Sequence, residues 1–543
     1  MFSGLNSLLI TGGTFVQQTD HPLKTPFQCL EEATAPGAFH NSADRFDPPR
    51  CHPDTRTAII KRVVDWVLGV DASVQERRAF MQWLYGSAGV GKSAIAQTVA
   101  EICEDNDSLL ACFFFSRADH QRNNARLLVA TIAYQIALNN TQAKQIILAA
   151  VKQDPLIFSK SLHVQFAHLV FQPIRLSMHA NSSRHLIIID GLDECEDQQI
   201  RCDILRLLTT SFQQHSLPVT LQVLITSRPE LDILSFINLQ SLDSGVDRLA
   251  LDGERDSNRD IRLFLEHRFN RIKIIHPHRT FIPAEWPSLN TIDSLVQKAS
   301  GQFIYASTVV KYISSLTHNP TSRLDIILGL CPVIRGAPFA DLDELYRHIF
   351  STVEDLGAVL QVIGLIILGR QPLTREIELI LGLNHGDIEL LLSPLAAIVA
   401  IDKKTDFVRI LHASLDDFLL DNVRSKDLYI YPAMKHAQYA QMCLRRLATA
   451  NTVSQHHPGS CPPNMSLFCA LAHHFPKAFP IAELREEITD VSLKHLYACW
   501  VSFASAETEG LSFFYSGFMA NFLSFIQAAL SPVLAMGRCT RSI

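Results

Sequence analysis

Along the chain the spacing of apolar residues changes character twice, and each change predicts a different kind of element. From Cys51 to about Val70, the run AIIKRVVDWVLG places Ile59, Ile60, Val63, Val64 and Val67 on one face, which predicts an amphipathic helix with Asp54 or Thr55 as its cap. Short apolar runs follow at Phe80–Tyr85, Ala111–Phe115, His185–Ile189, Leu221–Thr226 and Asp247–Leu251, with helical stretches between them. Strands of this composition are buried on both faces, so the alternation predicts a parallel α/β sheet. After Asp252 the strand signal fades. Helical periodicity takes over in DIRLFLEHRFNRI and in IDSLVQKASGQFIYASTVVKYISSL. Pro332, Gly336 and Pro338 mark a joint before a second module, which runs from Asp341 through AVLQVIGLIILG to a strand pair near Ala400–Ile410. Helices closed by a small hairpin predict a winged helix. The remainder, from about Asp427, is again mostly helical, and no internal repeat is visible.

The chemistry lies at the strand ends. Gly86-Ser87-Ala88-Gly89-Val90-Gly91-Lys92-Ser93 fits G-x-x-x-x-G-K-[ST], and it follows the apolar strand FMQWLY and precedes the helix SAIAQTVAEI. The glycines let successive backbone N–H groups from Gly86 to Ala94 turn inward around phosphates, Lys92 supplies a charge to the outer phosphates, and the Ser93 hydroxyl suits Mg²⁺. The apolar run Leu186–Ile189 ends in Asp190, a second Mg²⁺ candidate. Asp193 and Glu194 follow within one turn, close enough to orient or deprotonate an attacking water; the competing reading is a solvated acidic turn continued by Glu196 and Asp197. The strand Leu221–Thr226 leads into Ser227-Arg228-Pro229, which brings a guanidinium to the same sheet edge as a γ-phosphate sensor or a plain surface ion pair. An extra strand, ACFFFS, and the lack of N-K-x-D argue against a small-GTPase site.

The expected fold class is therefore α/β followed by mostly α. Residues 1–50, with turn residues Gly12, Gly13, Pro22, Pro36, Gly37, Pro48 and Pro49, read as a weakly structured lead-in. The P-loop NTPase domain spans 51–253, a helical module 254–335, a winged-helix-like module 336–426 and a C-terminal helical region 427–543.

Composition narrows the function classes. A chain of 543 residues is expected to hold three or four domains at about 150 residues each. With 47% apolar residues, 23 Gly and 25 Pro, it is neither collagenous nor disordered. Lys plus Arg number 48 against 54 Asp plus Glu, a net charge of −6 with no long run of either sign, which predicts that nucleic acid is not a partner. Charged residues make up only 19%, so some apolar surface is expected to meet protein partners, through the C-terminal helices or by self-assembly. The 12 Cys are scattered without a C-x-x-C pair, and MFSGLNSLLITGG lacks a basic n-region, which predicts a reducing, cytoplasmic setting. His456, His457, Cys461, Cys469, His473 and His474 crowd together, yet their spacing fits no closed zinc site. The uncharged stretch 511–537 is long enough for a membrane, but Asn521, Gln527 and Pro532 interrupt it and favour a buried helix pair.

Taken in order, RCHPDTR, WLYGSAGVGKSAIAQTVAE, FFFSR, LIIIDGLDEC and LITSRPE resemble a NACHT-type nucleotide-binding domain of the signal-transducing (STAND) ATPases, most closely the fungal NACHT proteins with a nephrocystin-3-like N-terminal NTPase segment. KASGQFIYASTVVKYI resembles the first helical module of that family, LDELYRHIF and the region around RQPLTREIELILGL its winged-helix part, and VRILHASLDDFLLD its histidine-containing segment. The resemblance implies that Gly86, Gly91, Lys92 and Ser93 bind phosphates and Mg²⁺, that Asp190 is the Walker B acid, that Asp193 or Glu194 supports hydrolysis, and that Arg228 is sensor 1. It also implies that His412 touches the β-phosphate of ADP and locks a closed state. Two features depart from the family: Gly301-Gln302-Phe303 stands where many relatives have a proline against the base, and no ankyrin, WD or tetratricopeptide repeat and no N-terminal effector is recognisable. The second leaves a truncated member, a regulator or an incomplete gene product as readings.

The function expected from all of this is a nucleotide-dependent signalling switch using ATP/ADP, or GTP, with Mg²⁺, plausible in innate-immune nonself recognition or regulated cell death. Its hydrolysis is expected to be slow at most. A turnover NTPase that remodels a partner, and a nucleotide-binding scaffold or decoy, are the alternatives.

Overall fold

The computed structural model describes residues 24–45, 48–70, 79–178, 184–214, 221–239, 245–251, 254–330, 339–369, 372–402, 405–449, 463–479 and 481–490. Five strands, β1 (Met81–Tyr85), β2 (Leu109–Phe114), β3 (His185–Asp190), β4 (Leu221–Ser227) and β5 (Val246–Ala250), form one sheet in the order β2-β3-β4-β1-β5, every pair parallel. Alternate residues of each strand feed two cores. Trp83, Ile187, Ile189, Val223 and Ile225 pack on one face, and Leu84, Ile188 and Leu224 on the other, against Trp66 and Val67 and the helix Lys92–Asp105. Both faces are covered, which is why the strands read as unbroken apolar runs. Burying each such side chain contributes about 1.5–3 kcal/mol, enough to fix the register of the central strands and hence the line of their carboxyl ends.

The amphipathic helix spans Thr57–Leu68. Neither Asp54 nor Thr55 caps it. Arg56 is the N-cap, in the left-handed region at φ 56°, because its backbone N–H donates to Asp260 Oδ2 at 3.0 Å and its guanidinium to the Val90 carbonyl at 2.9 Å. A tertiary contact has overridden the local cap.

The lead-in departs further from expectation. Thr25 begins a helix at Pro26–Glu32 with a capping box to Gln28, and Leu30, Ala35 and Ala38 are wholly buried in the core of the first sheet face. The Ala35 N–H donates to Thr131 Oγ1 at 3.0 Å, and the His40 N–H reaches Cys112 Sγ on β2 at 3.2 Å. Turn residues had masked this order: Pro36 and Gly37 shape a short 3₁₀ turn inside a docked segment.

Beyond the sheet, helices Glu254–Ile275, Leu289–Ala299, Phe303–Ile313 and Pro320–Gly329 form one cluster. The periodic stretch through KASGQF is broken, since Ser300 (φ 47°) and Gly301 (φ 77°) both turn left-handed and end the first of the two helices there. Helices Ala340–Ser351, Leu356–Leu368 and Thr374–Leu381 then lead to an antiparallel pair, β6 (Val399–Ile401) with β7 (Val408–Ile410), as a winged helix requires. The helices Pro432–Thr449, Pro463–His474 and Ala482–Asp490 join the same large apolar core. Among the described residues no helix is long and apolar enough to cross a membrane. Residues 511–537, and His456, His457 and Cys461, lie outside the described residues. Cys469 is exposed, and no metal-binding group of three or more His, Cys, Asp or Glu forms among the described residues.

Candidate nucleotide site

Of the five diagnostic segments, the four that contain a strand come together at one edge of the sheet. The loop from Gly86 connects β1 to the helix Lys92–Asp105, with Gly89 at φ 77° and Gly91 at φ 98°. These values favour glycine, and at Gly89 space demands it as well: a Cβ there would overlap the Ile304 side chain. Residues Ala88 to Ala94 line a cavity of about 970 Å³, at the upper end of the size of small-molecule sites. Ser87 lines a smaller adjoining cavity together with Ala88, Arg228 and Asp417. Lys92 folds back on the loop and donates to the carbonyls of Gly86 at 2.8 Å and Ser87 at 2.9 Å. Burial pulls its pKa below the ordinary lysine value.

Asp190 ends β3 almost fully buried, beside Thr226 of β4. Its Oδ1 accepts from Thr226 Oγ1 at 2.5 Å, and the Ser93 hydroxyl also bonds it. Burial raises its pKa in spite of these bonds and of Arg45 and Lys92 nearby. Serine and aspartate thus meet at one point, a hard-oxygen pair suited to Mg²⁺. In the next turn, Leu192–Glu194, Asp193 is buried and Glu194 half-buried, so it is not a solvated acidic turn; of the four acidic residues here, Glu196 and Asp197 are the exposed ones. Asp193 is held by Arg228 twice, by its N–H at 2.9 Å and its Nε at 3.2 Å. Glu194 accepts from the Arg117 N–H at 3.0 Å, and burial, then Asp193, pushes its pKa up to about 7. A carboxylate poised near neutrality is the form a general base takes.

The opposite wall comes from the helical modules. The Ile304 N–H donates to the Gly89 carbonyl at 3.2 Å, docking the helix Phe303–Ile313 on the loop, and Phe303 lies over the Arg56 guanidinium. Phe264, His52 and Phe303 make this end aromatic, whereas the phosphate loop end is cationic. His412 is the N-cap of the helix Ala413–Leu419 and lines the cavity; its imidazole makes no hydrogen bond with the described residues. Burial pushes its pKa down to about 3, and Lys311 acts in the same sense, so the ring is neutral with one N–H to donate. Asp417, one turn on, accepts from Arg228 Nη1 at 2.7 Å and from Arg117 Nη1 at 3.3 Å. Its neighbour Asp416 is buried with Oδ1 unbonded, and burial pushes it up to about 7.

The structure therefore brings Ala88 to Ser93, Asp190, Asp193, Glu194, Arg228 and His412 to one cavity, with Gly86 and Ser87 facing Lys92 instead. Such a cavity, with a dense ring of backbone N–H groups and cations at one end and rings at the other, has the chemistry of a nucleotide site.

Residues 65–228, a little under a third of the chain, match the family model described as Nephrocystin 3, N-terminal. No curated protein matches the chain. Solved structures found to be similar include the Aeropyrum pernix Orc1 protein in complex with DNA, at 16% identity over 70% of this chain and 93% of that one, TM-score 0.32. Drosophila ORC bound to DNA is similar at 13% identity over 59% and 76%, TM-score 0.30. Drosophila ORC bound to AT-rich DNA and Cdc6 covers 92% of this chain and 77% of that one at 13% identity, TM-score 0.25. The chain has a parallel five-stranded sheet with helices after it, the fold that a P-loop NTPase has, and the family match falls on that sheet region. One expectation is corrected here: the exclusion of nucleic acid, drawn from net charge, is withdrawn, because the similar solved structures are DNA complexes. A whole-chain sum of −6 also averages away local excess, and cations outnumber carboxylates along this cavity. At these scores the likeness assigns no DNA contact to any residue.

Sequence reasoning missed Thr226, Arg117, Asp416 and Asp417. Thr226 was visible as the one hydroxyl in the apolar run LQVLIT, and Asp416-Asp417 as a charge pair inside the apolar segment SLDDFLL. Nothing in the sequence linked Asp417 to Arg228, almost 190 positions earlier.

Proposed function

We propose that this protein is a cytoplasmic nucleotide-dependent switch of the NACHT/STAND type, in which ADP holds sheet, helical module and hairpin module together and exchange for ATP releases them. The backbone from Gly86 to Ala94 cradles the phosphates, Lys92 leaves its two loop carbonyls for the outer phosphates, and Ser93 and Asp190 hold Mg²⁺, which when bound neutralises phosphate charge. Glu194, or Asp193, orients the water for a slow hydrolysis that resets the switch. The neutral His412 donates to the β-phosphate. Nonself recognition or regulated cell death is the physiological setting that the NACHT resemblance adds.

The observation that carries this reading is the bridge made by Arg228. Its guanidinium bonds Asp193 on the sheet at 3.2 Å and Asp417 on the hairpin module at 2.7 Å, directly beside the phosphate loop. A γ-phosphate, with more negative charge and more acceptor oxygens, is a stronger partner for a planar guanidinium than one carboxylate, so its arrival competes with Asp417 and loosens the module that Asp417 belongs to. Arg117 joins the same carboxylate at 3.3 Å and adds to the closed state.

Mass analysis of nucleotide released from freshly purified protein tests the proposal, with the turnover rate beside it. Retained ADP and a rate far below the usual enzyme median of about 10 s⁻¹ are expected. An empty site with rapid turnover would replace the switch by an NTPase that remodels a partner.

A further inference from the structure

The cations around the phosphate end of the cavity are not equivalent. Arg228 and Arg117 are committed to Asp417, and Arg122 to Asp119 at 2.6 Å. Arg45 differs. It belongs to the docked N-terminal segment, lies 3.9 Å over the Phe114 ring at the end of β2, and is half-buried. Both its hydrogen bonds run from Nη1, to Gln97 Oε1 at 2.5 Å and to the His40 carbonyl at 3.4 Å. Neither acceptor carries charge, and among the described residues no carboxylate lies within ion-pair distance of it. Its Nη2 and Nε donate to no described residue, and the side chain lines the same cavity as Lys92, Ser93 and Asp190.

A half-buried guanidinium without a counter-ion among the described residues is costly, and what offsets it there is incomplete: a ring face, an amide and a carbonyl. Its ordinary value is pulled down to about 10, by burial first, and Arg122 beside it works in the same direction. The Asp190 carboxylate acts on Arg45 in the opposite sense without forming an ion pair with it. The segment that carries Arg45 is fixed on both sides, by Leu30 and Ala38 in the sheet core and by Gln97, whose Nε2 donates to the His40 carbonyl at 3.0 Å from the phosphate-loop helix. This is the arrangement of a preorganised anion contact: a fork held by one arm, in the cavity that Lys92, Ser93 and Asp190 also line.

We infer that Arg45 is a further phosphate-binding residue, delivered by the N-terminal segment to the terminal phosphate of a nucleoside triphosphate bound in this cavity. The inference rests on the nucleotide-switch reading, and it makes residues 24–45 part of the site. A diphosphate ends short of Arg45 and leaves it uncompensated, so the contact favours the triphosphate.

Calorimetric titration of the full chain with Mg²⁺ and a non-hydrolysable ATP analogue, and separately with Mg²⁺ and ADP, decides it. Arg45→Gln should weaken the triphosphate analogue about tenfold and ADP by less than about twofold, the loss of one charge-assisted contact. Equal loss of both nucleotides, or no loss of either, overturns the inference and leaves Arg45 a packing residue. Arg45→Lys keeps the charge without the fork and serves if the glutamine variant does not fold: a selective drop of about threefold for the triphosphate analogue is expected, and an unchanged ratio of the two affinities overturns the proposal. If the parent chain binds the analogue and ADP while the Arg45 variants show no selectivity, only this inference fails. If the parent binds neither, the switch reading fails with it.

Discussion

The two walls of the cavity are held by different physics. On the sheet side, the phosphate loop, Asp190 and Thr226 follow from strands whose register is set by two apolar cores, and their bonds are short and buried. On the helical side, contact with the sheet domain is polar and aromatic: the Ile304 N–H meets the Gly89 carbonyl, Arg56 bonds Asp260 and Ser257 and lies against Phe303, and the hairpin module is joined through Asp417, gripped by two arginines, with side chains at Asp417 and Arg228 each 19% exposed. Partly exposed ion pairs are worth about 1 kcal/mol or less, whereas the central strands are fixed by many buried side chains. The difference teaches where the molecule can open: along the second wall, leaving the first intact.

The predictions follow that division. The strongest blow to the sheet wall alone is Glu194→Gln, which should slow hydrolysis by about 10²–10⁴-fold and spare nucleotide binding, while Asp190→Asn should weaken Mg²⁺-dependent binding; single-turnover rates and titrations with and without Mg²⁺ separate them. Equal loss of binding in both would reduce Asp193 and Glu194 to shaping the site. Next, Lys92→Ala should weaken ATP and ADP on the order of 100-fold with the circular dichroism spectrum unchanged, because Lys92 meets only loop carbonyls and no apolar core.

Breaking the second wall should act on the balance between nucleotides. His412→Ala should lose affinity for ADP selectively, with a coupling of about 1–3 kcal/mol; an unchanged ADP/ATP ratio with a lowered melting temperature would make His412 a packing residue. Asp417→Asn should shift the same ratio towards ATP by about fivefold and expand the molecule in small-angle scattering, since Arg228 and Arg117 lose the negative charge they share. No change in either would remove the latch from the mechanism.

The smallest effect concerns pH. Asp416 rises from an ordinary 3.8 to about 7 in the fold, chiefly through burial, so between those values the folded chain holds a proton that the unfolded chain has released. Its contribution to stability therefore falls as pH rises from about 4 to 7. Asp416→Asn should flatten that part of the profile and leave the variant a few degrees more stable at pH 8, with little difference at pH 4, as measured by thermal melting. A parallel shift at both pH values would assign the effect to packing.

What was legible came from local pattern. The five strands, the phosphate loop at a strand-to-helix junction, Asp190 after four apolar residues and the hairpin near Ala400–Ile410 were all readable, because a buried strand and a phosphate loop impose their requirements on consecutive residues. The N-terminal segment was not, since its buried residues Leu30, Ala35 and Ala38 are too few and too irregular to show a period.

By itself, then, the sequence determined the order of elements and the phosphate end of the site, where one short segment supplies both backbone curvature and charge. Only the tertiary structure decided that Arg45, Arg117 and Asp417 join Arg228 and His412 around two adjoining cavities, that Arg228 joins two modules and that Gln97 aims Arg45. The reason is physical: a contact between residues tens to hundreds of positions apart leaves no periodic trace in either segment. Its geometry is set by how two independently buried cores pack against each other.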